Sequence, residues 1–137
     1  MATTTQIFCD ASVNRKRGMG FAWIAVQNSQ MIAEGGGRIP TAENPDFGST
    51  TAEAIGLYAA HLQTVHLENR QFFCDSQSLA HLIQTRKQSA NQRLAKLLQV
   101  IPNTVYLQFE NQSPYIKIVD NRSKRPNLYN RVSVPSL

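Results

Sequence analysis

The stretch Gln6-Ile7-Phe8-Cys9-Asp10-Ala11 decides the reading of the fold: an apolar run that stops on a carboxylate. The pattern returns as Gln71-Phe72-Phe73-Cys74-Asp75. Each reads as a short buried strand, Thr4 to Ala11 and Gln71 to Cys74, closed by its aspartate. Side chains alternate along a strand, so Cys9 and Cys74 should point away from the neighbouring carboxylates. Both read as buried, reduced core residues. If the strands are neighbours in one sheet, Asp10 and Asp75 emerge at one edge, where open α/β sheets bind ligands. Two such carboxylates repel unless a cation lies between them. Hard oxygen ligands favour magnesium or manganese over zinc.

Working outward, Asn14 to Gly18 is a polar turn, and Met19 to Asn28 is a second strand rich in aromatic and branched residues. Asn28-Ser29-Gln30 turns into a third strand near Met31 to Gly37, whose Gly35-Gly36-Gly37 run should weaken or bend its end. Two close turns predict an antiparallel meander. Ile39 to Gly48, with Pro40, Pro45 and Gly48, is a loop. A helix follows from Ser49 or Thr50, with Ile55, Ala59, Leu62 and His66 at helical spacing. After the Phe72-Phe73 strand come helices over Ser76 to Arg86 and Gln88 to Ile101. Their inward residues are Leu79, Leu82 and Ile83, then Leu94, Leu97, Leu98 and Ile101. Thr104 to Phe109 is a fifth strand. Tyr115 to Val119 reads as an extended segment, and Pro126 forbids a long uninterrupted helix beyond it. Strands that arrive through helical crossovers pair in parallel with right-handed connections. The prediction is an α/β fold: a mixed five-stranded sheet, three strands in an antiparallel meander and two in parallel, flanked by helices.

The chain of 137 residues fits a single domain, 1–137, with an atypical basic segment at 111–137. Hydrophobic residues at 42% and charged residues at 17% exclude a disordered chain or a coiled coil. No apolar run approaches the ~18 residues of a membrane span. Met1 to Gln6 lacks a basic region followed by an apolar stretch, which sets the expectation of a cytoplasmic protein without a membrane partner. Two cysteines make neither a disulfide framework nor a metal-site spacing. A net charge of +5 favours an anionic partner, of which nucleic acid is the commonest for a basic domain.

Each acid also has a structural reading. Asp75, before Ser76-Gln77-Ser78, caps a helix in one of them. Asp10 is then a turn residue after its strand. Thr50-Thr51-Ala52-Glu53 matches a capping box in which Glu53 reaches back to the helix start. Taken singly, the acids leave both readings open; taken together they point to a shared site.

Three segments resemble the ribonuclease H family. Ile7 to Ser12, followed by Gly18-Met19-Gly20-Phe21-Ala22-Trp23, is similar to the family's first strand and glycine-containing hairpin. Ser49-Thr50-Thr51-Ala52-Glu53-Ala54 is similar to its lead-in to a glutamate on the first helix. Phe73-Cys74-Asp75-Ser76 is similar to its aspartate–serine pair after the fourth strand. The ordered set covers roughly the first 110 residues. The resemblance implies a ribonuclease H-like sheet and convergence of Asp10, Glu53 and Asp75 on Mg2+, with Mn2+ as a substitute. It implies a two-ion phosphodiester hydrolysis with Asp10 between the ions. The implied substrate is the RNA strand of an RNA–DNA hybrid, recognised through 2′-hydroxyls.

The resemblance also implies a fourth acid near the start of a final helix and a histidine before it. No histidine follows His81, and Asp120 is the only aspartate after Asp75, so Asp120 is the candidate by elimination, with Glu110 a weaker substitute. The structural reading of Asp120 is a helix or turn cap. Arg15, Lys16 and Arg17 in the first turn, and Arg122, Lys124, Arg125 and Arg131 in the tail, are candidates to contact phosphates or form a solvated surface. Tyr115 and Tyr129 either stack on bases or pack the tail onto the body. Phe21 and Trp23 read as core, and His61 and His66 as ordinary helix residues. Arg86, Lys87, Arg93 and Lys96 are too sparse to form the family's basic helical protrusion. The first functional expectation is a ribonuclease H-type endonuclease. The alternatives are a DNA nuclease of the junction-resolvase or transposase kind and a non-catalytic nucleic-acid-binding module on the same scaffold.

Overall fold

A computed structural model describes residues 3–14, 18–39, 49–86 and 92–124. Its elements run in the order β1 (Thr5–Asn14), β2 (Gly18–Gln27), β3 (Gln30–Ile39), α1 (Ser49–Gln63), β4 (Arg70–Cys74), α2 (Gln77–Thr85), α3 (Gln92–Val100), β5 (Leu107–Phe109) and α4 (Pro114–Ser123). The sheet order is β3-β2-β1-β4-β5. The first three strands pair antiparallel. β4 joins β1 in parallel, and β5 joins β4 in parallel, each after a helical crossover. The expected mixed five-stranded sheet is therefore present.

The meander turns tightly because Asn28 and Ser29 both take positive φ, 50° and 62°, the backbone of a two-residue hairpin whose twist suits the strands. The glycine run does not end β3, which continues to Ile39 with Gly35 opposite Trp23 and Gly37 opposite Phe21. Gly35 is small for a reason: a Cβ there would lie 2.6 Å from the Trp23 indole. That ring is buried, and its Nε1–H donates to Gln63 at the end of α1.

Alternation sorts the sheet into two faces. Ile7, Cys9, Phe21, Trp23, Phe72, Cys74 and Leu107 face α1, α2 and α3 in the larger core. Phe8, Ala22, Ile24 and Val26 face α4, through Ile116 and Val119. Full burial of side chains such as Phe21, Leu57, Phe72 and Leu97 stabilises the fold by about 1.5–3 kcal/mol each relative to exposure. Leu79 and Ile83 on α2, with Leu94, Leu97, Leu98 and Ile101 in and after α3, are buried as their spacing predicts. Leu62 is not: it ends up exposed, and His66 lies beyond the helix end.

Three expectations are corrected. Tyr115 to Val119 is helical. Ser113 accepts from the Tyr115 N–H as N-cap, Pro114 opens the helix with its fixed φ, and Ile116 and Val119 then fall on one face. β1 also does not stop at Asp10 but continues to Asn14 against β2, with Asp10 opposite Ala22. The fifth strand is shorter than expected, three residues instead of the Thr104 to Phe109 run. Arg15, Lys16, Arg17, Lys87, Arg125, Tyr129 and Arg131 lie outside the described residues.

Candidate active site

The acids meet because β1 outruns its parallel neighbour. Phe8 pairs with Phe73, and β4 ends at Cys74, so Asp10 stands level with the point where the chain leaves β4 and Asp75 begins a new direction. Asp10 lies on the same side of β1 as Phe8, toward α4, by strand alternation. Glu53 comes from the first turns of α1. One turn further along, Gly56 lets that helix approach the sheet closely: a Cβ there would lie 3.1 Å from the Ala11 Cβ. Asp120 lies in the last part of α4, on the opposite side of the sheet from α1.

Carboxylate oxygens of Asp10, Glu53 and Asp75 all lie within 4.8 Å of one another. Asp120 and Lys124 line the same cleft of about 460 Å3, together with Ala11, Ser12 and Ser49. Asp10 is only 4% exposed. Its Oδ1 accepts from the Ala11 N–H at 2.8 Å, whereas its Oδ2 is buried without a hydrogen-bond partner among the described residues. The groups facing it belong to the carboxyls of Glu53 and Asp120, which offer a hydrogen only when protonated.

The electrostatics follow from that crowding. Burial raises Asp10 from 3.8 to about 7, helped by the charge of Asp75 and contact with Asp120. Burial raises Glu53 to about 10, helped by the charge of Asp10. Asp75 is also raised, by burial and then by Asp120, while Lys124 pulls it back. The cluster therefore needs protons or a cation to exist as built. Three clustered carboxylates, with Asp120 lining the same cleft and no nitrogen or sulfur ligand among them, fit a hard divalent ion. Burial pushes the Cys9 thiol well up and Cys74 up to about 12, so both stay protonated thiols on the α1 side.

The structural alternatives for the acids are taken by other residues. Ser76, not Asp75, caps α2 and accepts from the Leu79 N–H at 3.2 Å. Thr50 lies inside α1, so it is not the cap of a Thr50–Glu53 box. Ser113, not Asp120, caps α4. Glu110 is a turn residue that accepts from the N–H groups of Gln112 and Ser113, and it is not among the residues lining the cleft. His61 and His66 are at the far end of α1 and beyond it.

The candidate phosphate contacts fare differently. Lys124 is inside the acidic cleft, bonded to Asp120 Oδ2 at 3.1 Å. Arg122 is paired with Glu34 of β3. Tyr115 packs on Phe8, ring centres 5.2 Å apart, and its hydroxyl donates to the Ser29 carbonyl, so it fastens α4 to the sheet. Arg86 donates to the carbonyls of Leu98, Ile101 and Pro102 at 2.8–3.0 Å and ties α2 to the end of α3. Sequence reasoning missed Ser12 and Ser49 as lining residues, although both fall within the motifs it quoted. It also missed the Asp120–Lys124 pair, whose i,i+4 spacing is a signal only once the segment is known to be helical.

No protein-family model matches the chain, and no curated protein matches it in sequence. Solved structures do. The N-terminal RNase H domain of a Mycobacterium tuberculosis protein superposes with a TM-score of 0.69 at 17% identity, covering 91% of this chain and 94% of that one. Ribonuclease H1 of Halobacterium salinarum gives 0.66 at 15% identity over 90% and 93%. The RNase H domain of a foamy virus gives 0.59 at 12% over 95% and 98%. The chain has a ribonuclease H-like fold. The ribonuclease H-like scaffold carries its cluster of Asp10, Glu53 and Asp75 at the open end of the parallel strands, where such sheets bind ligands.

Proposed function

We propose that the chain is a metal-dependent endonuclease that hydrolyses the RNA strand of RNA–DNA hybrids, acting inside the cell. One observation carries the reading: a buried Asp10 oxygen with no hydrogen-bond partner among the described residues, in a cleft where the carboxylates of Glu53 and Asp75 lie within 4.8 Å. Such a cluster is costly to build and is kept where a cation is to be held.

Asp10, Glu53, Asp75 and Asp120 are the groups that would hold magnesium, or manganese in its place. Bound there, the ions supply positive charge for the phosphoryl oxygens and make water a better nucleophile. The chain's own part is positioning. The Ala11 N–H fixes the Asp10 carboxyl, α1 delivers Glu53 and the end of β4 delivers Asp75. The cleft is open enough for a backbone phosphate. A basic chain of net charge +5 favours a polyanion, and hybrid recognition would rest on 2′-hydroxyl contacts across a wide minor groove.

The test is incubation of the purified protein with labelled RNA–DNA hybrid, duplex RNA, duplex DNA and a four-way junction, under magnesium and under manganese. The expected result is cleavage of RNA in the hybrid alone, leaving 3′-hydroxyl and 5′-phosphate ends. Cutting of the junction alone would replace this reading with a DNA nuclease. Binding without cleavage in either metal would replace it with a non-catalytic module.

A further inference from the structure

We propose that Lys124 is a built-in cation of the acidic cleft that occupies Asp120 and so sets how many divalent ions the site takes. The inference rests on the metal-site reading above and deepens it. Its basis is geometric. The three clustered carboxylates are those of Asp10, Glu53 and Asp75, and Asp120 is not among them, although it lines the same cleft. Asp120 contacts Asp10, and its Oδ2 also holds the Lys124 ammonium at 3.1 Å. The buried Oδ2 of Asp10, without a hydrogen-bond partner among the described residues, marks the place where a cation belongs, beside Glu53 and Asp75.

The pairing follows from the helix. Asp120 and Lys124 are four residues apart at the C-terminal end of α4, so their side chains share one face. A cation is favoured there by the helix dipole as well. The pair is solvent-accessible, with Lys124 58% and Asp120 40% exposed, so the contact is weak and can be displaced. While it lasts, a second ion meets both a carboxylate already engaged and a like charge beside it. At separations of roughly 5 Å, even in solvent-like surroundings, repulsion between an ammonium and a divalent ion changes affinity about tenfold. One ion on Asp10, Glu53 and Asp75 is then the resting state, and a second requires Lys124 to leave Asp120.

Calorimetric titration of Mn2+ into the full chain tests this, with wild type, Lys124→Met, Lys124→Arg, the double variant Lys124→Met/Asp120→Asn, and Asp10→Asn as a control on the cluster. A substitution at so exposed a side chain leaves the fold intact. The expected result is a second Mn2+ bound about tenfold more tightly by Lys124→Met than by wild type. Lys124→Arg should titrate like wild type, and the double variant should lose the gain. A Lys124→Met protein that titrates like wild type overturns the inference, as does a gain that survives Asp120→Asn. The control separates the two levels. If Asp10→Asn loses Mn2+ while Lys124→Met is unchanged, only the role of Lys124 falls. If Asp10→Asn binds as well as wild type, the metal site itself falls, and the inference with it.

Discussion

At the scale of single residues, the sequence left the acids ambiguous for a physical reason: Asp and Glu at helix starts and strand ends serve as caps as readily as ligands. The ambiguity is resolved by their neighbours. Ser76 and Ser113 do the capping, which leaves Asp75 and Asp120 in the cleft. Burial, which a sequence does not display, then sets the chemistry. Asp10 rises from 3.8 to about 7 and Glu53 from 4.5 to about 10. Between the unfolded and folded values the native chain holds protons that the unfolded chain gives up, so stability falls as pH rises. In EDTA the melting temperature should therefore drop from about pH 4 through pH 7, and Glu53 should extend the fall toward pH 10. Saturating magnesium should raise the melting temperature more at about pH 8 than at about pH 5, where protons already neutralise the cluster. Thermal melts across pH with and without the ion check both signs. Asp10→Asn removes one of the repelling charges and should stabilise the metal-free protein by about 1 kcal/mol in urea unfolding, while abolishing the magnesium-dependent shift.

At the scale of elements, the meander, the two crossovers and the three helices between β3 and β5 were legible because hydrophobic period and turn residues agree there. The acid at position 10 looks like a strand stop in the sequence. The strand continues because Ala11 to Asn14 still pair with β2. Tyr-Ile-Lys-Ile-Val alternates like a strand, and the stronger signal for α4, the Ser113-Pro114 start, lies just outside it. Ser113→Ala should cost about 1 kcal/mol, measured by chemical denaturation, and loosen the element that carries Asp120. Arg86 looked like a sparse surface charge. Its left-handed backbone, φ 53°, turns its guanidinium onto carbonyls at the end of α3. Arg86→Met should destabilise the protein by about 2 kcal/mol, since it leaves three partly buried carbonyls without a charged donor. An effect within the ordinary range for surface substitutions would contradict that role.

At the scale of the whole molecule, the fold is legible while the site is only partly so. Strand order follows from connection lengths and handedness, which are local in sequence. The site depends on where one strand ends relative to its neighbour and on which helix face looks into the cleft, and neither is local. Phe8 pairing with Phe73 is the detail that brings Asp10 level with Asp75. The net charge of +5 should make hybrid binding weaken steeply as salt rises, which fluorescence anisotropy at several ionic strengths will register. The central claim is that Asp10, Glu53 and Asp75 form a metal-dependent phosphodiesterase centre. It is tested most directly by the single-turnover rate of hybrid cleavage for wild type and Asp10→Asn, in magnesium and in EDTA. The account predicts cleavage by wild type in magnesium alone, and a loss of about a thousandfold or more in Asp10→Asn. Cleavage by wild type in EDTA, or an Asp10→Asn protein that cuts at the wild-type rate, would contradict it.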